Sequence, residues 1–293
     1  MAKRTRSRLA ATLSGTATAP LVAGLTFAPV DALTSVVPEC GGAGECLLSA
    51  AHTLDLDFVF VPSSAPWAEQ VVKDRREIAV MWVVDGPLWP VLSSGPGTVS
   101  QALAVTAKDP SSLGARLDGE TVRASETVRR GLALGVDAIV IAEDLAGRDG
   151  LLFTPDFVRR EVIPRFATLA SLAGDVPVLL HSDGDTGAIL PLLHDARFAA
   201  VHTGGGVDRD RFEELFWEAR RSGLAMVGGI QTPSLGRGGH AAVRIGTHAA
   251  LLAQSGGLLV ADDGGITTAA EIAAFAAAVG AARAGTGQPV PKS

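Results

Sequence analysis

Eight short apolar segments recur along the chain, and longer segments of helical character separate them. Each apolar segment is nearly continuous and rich in β-branched residues, which is typical of strands buried on both faces of a parallel sheet. Eight such strands alternating with helices predict a single (β/α)8 TIM barrel, with a doubly wound open sheet as the alternative. The segments are LVAGLTFA (21–28), DFVFVP (57–62), EIAVMWVVD (77–85), DAIVIAED (137–144), VPVLLH (176–181), FAAVHT (198–203), LAMVGG (224–229) and GLLVADD (257–263).

Several of the intervening segments carry residues that start or end helices. Thr154 followed by Pro155 suits an N-cap and the first helical position. Thr268 and Glu271 have the spacing of a capping box, and Pro164 should kink its helix. The predicted helices cover residues 125–135, 154–174, 208–223 and 267–285.

The composition excludes several classes of protein. With 293 residues, 47% of them hydrophobic, the chain can bury a large core and is not a disordered protein. Its net charge of −6 argues against nucleic-acid binding through bulk electrostatics. No apolar run reaches the roughly 20 residues needed to cross a bilayer, so no membrane association is expected.

The N-terminus is basic, with Lys3, Arg4, Arg6 and Arg8 ahead of an Ala/Leu/Thr-rich stretch. We divide the chain into a flexible basic tail, residues 1–20, and a barrel domain, residues 21–293. A secretory signal remains an alternative for the tail. The default expectation is a cytoplasmic protein, and the oligomeric state, including a homodimer, stays open.

Polar residues collect where the apolar segments end. In (β/α)8 barrels the active site lies at the C-terminal ends of the strands, so these positions are the candidate site. The apolar bodies of the strands contrast with this polar layer. The strand-end residues are Asp85, Glu143, Asp144, His181, Asp183, His202, Gln231, Asp262 and Asp263.

His181 and Asp183 lie two positions apart at the end of the fifth strand, so both side chains can point into the barrel mouth. With Asp263 from the eighth strand they form a candidate site for a divalent metal ion. Alternatively, Asp183 orients His181 as a general base. The ordinary interpretation is that Asp183 or Asp185 caps the next helix and that His181 is a hydrogen-bonded, partly buried histidine.

Other residues near the strand ends complete the predicted site. Glu143 is the third candidate catalytic residue, beside His181 and Asp183. Cys40 and Cys46 flank GGAGE after the first strand and are interpreted as loop or helix-start thiols, with a metal or redox role as the alternative. The candidate substrate-binding residues are Asp144, Arg148, His202, Gln231, Trp67 and Trp89.

From about residue 55 onward, the order of these motifs resembles the uroporphyrinogen decarboxylase superfamily, which includes corrinoid-dependent methyltransferases. The superfamily fold is a (β/α)8 barrel. As a set, H-x-x-G, G-G-I-x-T-P and G-G-I-x-T are fairly specific. The matching segments are DFVFVPSSAPW (57–67), DAIVIAEDLAGRDGLLFTPDFVRREVIPRF (137–166), VPVLLHSDGDTGAILPLL (176–193), LAMVGGIQTPSL (224–235) and GGLLVADDGGITTAAEIAAF (256–275).

The chain departs from both branches of that superfamily. It lacks the decarboxylase's arginine-rich segment, its aspartate after strand two and its tyrosine, since the chain has no tyrosine at all. In the methyltransferase branch a His-x-Cys motif and a later Cys hold zinc. His181 matches the histidine, whereas Asp183 stands at the first Cys position and Asp262 or Asp263 at the second, which makes zinc less suited than a harder cation.

The resemblance implies a methyltransferase-related enzyme that moves a methyl group between a small substrate and a corrinoid on a partner protein. The alternatives are a tetrapyrrole (uroporphyrinogen) decarboxylase, a lyase of porphyrin biosynthesis, with a non-standard site, and a non-catalytic ligand-binding barrel. A phosphate-binding barrel enzyme is a fourth alternative, suggested by the glycine-rich turns.

Overall fold

Eight parallel strands form a ring in the order β1-β2-β3-β4-β7-β8-β9-β10, and a bridge between Ala23 and Val260 joins its two ends. The predicted single (β/α)8 barrel is therefore confirmed. This computed structural model describes residues 2–18, 21–93, 110–236 and 239–285. The ring strands are β1 Gly24–Leu25, β2 Phe58–Pro62, β3 Ala79–Asp85, β4 Ala138–Ala142, β7 Val178–Ser182, β8 Ala200–Thr203, β9 Ala225–Ile230 and β10 Leu258–Asp262.

Helices connect the strands and surround the ring, and a short antiparallel hairpin follows β4. The hairpin strands are β5 Ala146–Gly147 and β6 Gly150–Leu151. The described α-helices are α1 Ala2–Leu13, α2 Val30–Leu33, α3 Ala43–Thr53, α4 Ala68–Asp74, α5 Leu88–Ser93, α6 Pro110–Leu134, α7 Pro155–Phe157, α8 Ile163–Ala173, α9 Leu190–Asp195, α10 Arg209–Arg221, α11 Thr232–Leu235, α12 Gly239–Gln254 and α13 Ala269–Gly285.

The predicted helix signals work as expected. The Phe157 amide donates to Thr154 Oγ1 at 3.2 Å, which caps α7. At α13 the Thr268 amide donates to Glu271 Oε2 at 2.9 Å, and the Glu271 amide donates to Thr268 Oγ1 at 3.3 Å. Pro164 has no amide hydrogen, and a π-helical turn, Val158–Val162, accommodates the break between α7 and α8.

In place of the flexible tail expected for residues 1–20, residues Ala2–Leu13 form helix α1 at the N-terminal end of the barrel. Leu9 and Leu13 are buried in the same cluster as the inward-facing strand residues. Arg8 pairs with Asp57, and Arg6 Nε lies 2.5 Å from Asp137 Oδ1. Arg6 and Arg8 are thus partners of buried acids at the starts of β4 and β2, a pairing that the local sequence does not show.

The barrel interior is filled by apolar side chains and leaves only the C-terminal mouth for polar chemistry. Phe58, Phe60 and Met81 are among its largest members and are almost fully buried. A second apolar layer packs the outer face of the strands against the helices. Because α1 covers the opposite end, the polar strand ends lie at the open mouth, as in barrel enzymes.

Gly246 allows α12 to pack closely against α13. A Cβ atom at Gly246 would lie 1.9 Å from the carbonyl oxygen of Ala278, so a side chain would force the helices apart. We expect Gly246→Ala to lower the free energy of unfolding by about 1–3 kcal/mol in urea titrations, as overpacked sites do. Gly280→Ala is the matched control on α13, since its Cβ would meet nothing within 4 Å. Equal stability of the two variants would contradict this packing.

Candidate functional site

A pair of histidines forms the centre of the barrel mouth. His181 on β7 and His202 on β8 are neighbours in register, so both side chains extend to the same face of the sheet. Their Nδ1 atoms are 2.7 Å apart, and their rings stack with centroids 4.9 Å apart. His202 is fully buried, whereas His181 is half-buried at the mouth.

The hydrogen bonds determine the tautomers of this pair. His202 Nε2 lies 3.0 Å from the Asp262 carbonyl oxygen, which can only accept, so Nε2 carries the hydrogen. In a neutral ring, His202 Nδ1 then accepts, and His181 Nδ1 donates to it. Burial lowers the pKa of His181 to about 4 and that of His202 to about 3, so both rings are neutral at pH 7. His181 Nε2 is therefore left with a free lone pair.

Two carboxylates lie beside His181. Asp144, Asp183 and one ring nitrogen of His181 offer three ligand atoms that all lie within 4.8 Å of one another. The Asp183 amide donates to Asp144 Oδ1 at 3.1 Å, and the Gly205 amide donates to Asp183 Oδ1 at 2.9 Å. Burial and the nearby Asp144 charge raise the pKa of Asp183. A bound cation would relieve this repulsion between the acids.

Gly204 lets the backbone approach this His/Asp cluster, which we define as Asp144, His181 and Asp183. A Cβ atom at Gly204 would lie 1.9 Å from Asp183 Oδ1 and 3.0 Å from His181 Cε1. A Cβ atom at the next residue, Gly205, would meet no atom within 4 Å. The position of the Asp183 carboxylate thus depends on a glycine that the sequence pattern did not single out, although it lies in a glycine-rich turn, HTGGG (202–206).

Glu143, predicted as catalytic, lies outside the His/Asp cluster. Its two carboxylate oxygens accept the Leu88 and Trp89 amides, each at 2.7 Å, and so hold the start of α5. It is almost fully buried, and burial raises its pKa to about 8 against the lowering effect of these amides. The contacts give Glu143 a positioning role for α5 in this structure.

The two acids that end the eighth ring strand are also engaged in hydrogen bonds. The fully buried Asp262 accepts the Thr26 amide at 2.8 Å and the Thr26 hydroxyl at 2.7 Å, which ties β10 to the end of β1. Asp263 Oδ1 accepts the Thr232 hydroxyl and, at 3.2 Å, the Gly265 amide. The predicted metal set was His181, Asp183 and Asp263. In the structure Asp144, rather than Asp263, lies with His181 and Asp183.

The remaining predicted residues are spread around the mouth. Arg148 is exposed on the β5–β6 hairpin, and Trp89 is 41% exposed. Trp67 lines an apolar cavity, whereas Gln231 lines a polar one and its buried Oε1 has no hydrogen-bond partner among the described residues. Asp185 accepts the Gly187 amide at 3.0 Å and pairs with Arg211, so the turn-capping interpretation holds for it.

Cys40 and Cys46 form a disulfide with their Cα atoms 5.2 Å apart. The interpretation of these residues as free thiols is therefore wrong. Two cysteines are few for a whole chain, but the glycine-rich loop between them lets the chain turn back onto α3. Neither sulfur is available as a thiolate ligand. Because disulfides persist in oxidising compartments, the cytoplasmic location remains a prediction only.

The aromatic contacts of the histidines were not predicted from the sequence. The Phe27 ring lies 4.9 Å from the His181 ring, and the Phe60 ring lies 5.3 Å from the His202 ring. Phe27 follows the first strand and so occupies a strand-end position, but its side chain carries no ionisable group that would mark it in the sequence. These rings form an apolar wall beside the pair.

None of the helices in the described part of the chain is both long and apolar enough to cross a membrane.

Comparisons with known proteins support the fold. No protein-family model matches the chain, and no curated protein matches it. A methyltransferase from Methanosarcina mazei is similar, with a TM-score of 0.72, 20% identity and coverage of 96% of this chain and 98% of that one. A candidate deoxyribose-phosphate aldolase from Coccidioides immitis has a TM-score of 0.50, 10% identity and coverage of 90% and 95%. At these identities the similarity shows the barrel alone.

Proposed function

We propose that the chain is a uroporphyrinogen-decarboxylase-like barrel enzyme related to methyltransferases. It transfers a methyl group between a small substrate and a corrinoid carried by a partner protein. The observation that carries the proposal is the convergence of Asp144, His181 and Asp183 at the C-terminal mouth of the barrel. The order of the sequence motifs and the fold of the Methanosarcina mazei methyltransferase support the choice of reaction.

His181 is the working residue of the proposed site, and His202 positions it. His181 Nδ1 donates to His202 Nδ1, and His202 Nε2 donates to the Asp262 carbonyl. These two hydrogen bonds fix both the tautomer and the plane of the His181 ring. A histidine held by its second nitrogen is ready to accept a proton or bind a cation with the first. Asp144 and Asp183 add negative charge beside it.

The donor set fits a divalent cation of hard or borderline character, because imidazole and carboxylates suit such ions. It does not fit zinc held by two thiolates, because both cysteines are joined in the disulfide. When bound, a cation supplies Lewis acidity that lowers the pKa of a coordinated hydroxyl or thiol. The protein's own part is to hold the acids by the Gly205 and Asp183 amides and to keep His181 neutral.

Tetrapyrrole decarboxylation with a non-standard site is the second candidate, and it is less well supported. A polycarboxylate substrate needs cationic partners, whereas the groups beside His181 are the acids Asp144 and Asp183, with Asp263 close enough to raise the pKa of Asp183. Arg148, the predicted cationic contact, is exposed on the hairpin.

An assay of methyl transfer tests the proposal. Purified protein with Mn²⁺ is mixed with methylcobalamin, in place of the corrinoid protein, and with 2-mercaptoethanol as the acceptor. The thiolate sulfur forms a bond to the methyl carbon, the cobalt–carbon bond breaks with both electrons left on cobalt, and the thiol proton leaves to water. We expect Mn²⁺-dependent loss of methylcobalamin and formation of the methyl thioether.

Two outcomes would overturn the proposal. Loss of carboxyl groups from uroporphyrinogen, without methyl transfer, would assign the chain to the decarboxylases. Failure of both reactions under saturating Mn²⁺ would leave the non-catalytic ligand-binding barrel.

A further inference from the structure

An apolar cavity of about 420 Å³ lies beside the histidine pair, where the ends of β1 and β2 meet the loop after β10. Its volume is in the range of pockets that enclose small organic ligands. The aromatic and aliphatic side chains that shape it come from four separate segments. They include Phe27, Leu47, Phe60, Trp67 and Ile266.

The cavity offers nothing that would neutralise a charged ligand. No Lys, Arg, His, Asp or Glu is among the described residues that line it. Its two side-chain hydroxyls, Thr26 and Thr267, already donate to the carboxylates of Asp262 and Glu271. They retain lone pairs but no hydrogen for an anion. A charged group placed here would lose its hydration without a partner, which is costly.

Phe27 connects this cavity with the His/Asp cluster. The residue lines the cavity, and its ring also lies 4.9 Å from the His181 ring. Phe60 has the same double role, lining the cavity and contacting the His202 ring at 5.3 Å. A molecule in the cavity therefore lies one aromatic ring away from the histidine pair.

We propose that this cavity binds the body of an uncharged, mainly apolar organic substrate, with an aromatic ring as the best match to Phe27, Phe60 and Trp67. Aromatic side chains favour such partners through offset or edge-to-face contacts. The reacting end of the substrate lies toward His181, on the side of Phe27; this part of the inference rests on the proposed function. The binding of the apolar body does not depend on it.

Calorimetric titration with two probes that share the methoxyphenyl ring tests the inference. Anisole is uncharged, and 4-methoxybenzoate adds one carboxylate to the same ring. We expect anisole to bind at least about tenfold more tightly than 4-methoxybenzoate. Equal or tighter binding of the benzoate would overturn the proposed substrate class.

Variants locate the binding site. Ala43, the first residue of α3, lines the cavity, so Ala43→Phe should fill it and weaken anisole binding at least about tenfold. Ala28→Phe fills it from the β1 side and serves if the first variant does not fold. The matched control is Ala269→Phe, which changes the exposed first residue of α13. Unchanged affinity in folded Ala43→Phe and Ala28→Phe proteins would overturn the assignment.

The two proposals fail in different ways. Anisole binding without methyl transfer would remove the proposed function and leave the cavity assignment. Methyl transfer to a small thiol without anisole binding would leave the function and remove the cavity assignment.

Discussion

His181→Ala is expected to lower kcat/KM for methyl transfer by about 10²–10⁴-fold, because it removes a ligand of a cation whose Lewis acidity stabilises the transition state by several kcal/mol. The variant removes His181 Nε2, the nitrogen whose lone pair is not used in the hydrogen bonds to His202 and Asp262. It also leaves His202 Nδ1 buried without its donor, which costs about 1–3 kcal/mol of unfolding free energy. Steady-state kinetics and urea unfolding of the same preparation separate the two effects.

His194→Ala is the matched control for this variant. His194 is an exposed histidine on α9, so its replacement should change neither the activity nor the stability of the protein. Full activity in His181→Ala would remove His181 from the mechanism and, with it, the proposed site. Equal loss in both variants would point to damage that is not specific to the His/Asp cluster.

Gly204→Ala is expected to weaken Mn²⁺ binding by about 10–100-fold, because it displaces a ligand group without changing any ligand. The new Cβ would lie 1.9 Å from the present position of Asp183 Oδ1, so the carboxylate must move away from His181. The atom that must move is the end of a side chain, so the fold should tolerate the change. Calorimetric titration with Mn²⁺ measures the affinity directly.

The neighbouring variant Gly205→Ala is a close control for this experiment. It adds the same methyl group one residue later, where a Cβ meets nothing within 4 Å, and it keeps the amide that donates to Asp183. We expect its Mn²⁺ affinity to match that of the wild type. If Gly204→Ala also binds Mn²⁺ normally, Asp183 is not a ligand.

The sequence predicted the layer in which the site lies, because buried parallel strands are recognisable as short apolar runs and their ends are read directly from the chain. His181, Asp183 and Asp144 were all found in this way. Local sequence could not show which strand-end acids remain available. Asp262 and Asp263 have the same local pattern as Asp183, yet Thr26 and Thr232, remote in sequence, donate hydrogen bonds to their carboxylates.

The N-terminus illustrates the same limit. In the sequence, Arg6 and Arg8 look like part of a solvated tail. In the structure they pair with the buried Asp137 and Asp57, and Leu9 and Leu13 are buried against the barrel interior. The disulfide is a local exception, since Cys46 lies only six positions after Cys40 and the glycines between them indicate a tight loop.

The sequence by itself determined the alternation of eight apolar strands with helices, since this periodicity needs no knowledge of long-range contacts. It favoured the (β/α)8 barrel, and the bridge between Ala23 and Val260 excludes the open sheet. Only the tertiary structure decided the chemistry of the mouth. Ring closure brings β7, β8 and β10 together, and the hydrogen bonds among His181, His202 and the Asp262 carbonyl set the tautomer of His181. Thr26 and Thr232, from other parts of the ring, engage the carboxylates of Asp262 and Asp263. Such states depend on the distances between groups remote in the chain, and strand patterns contain no information about those distances.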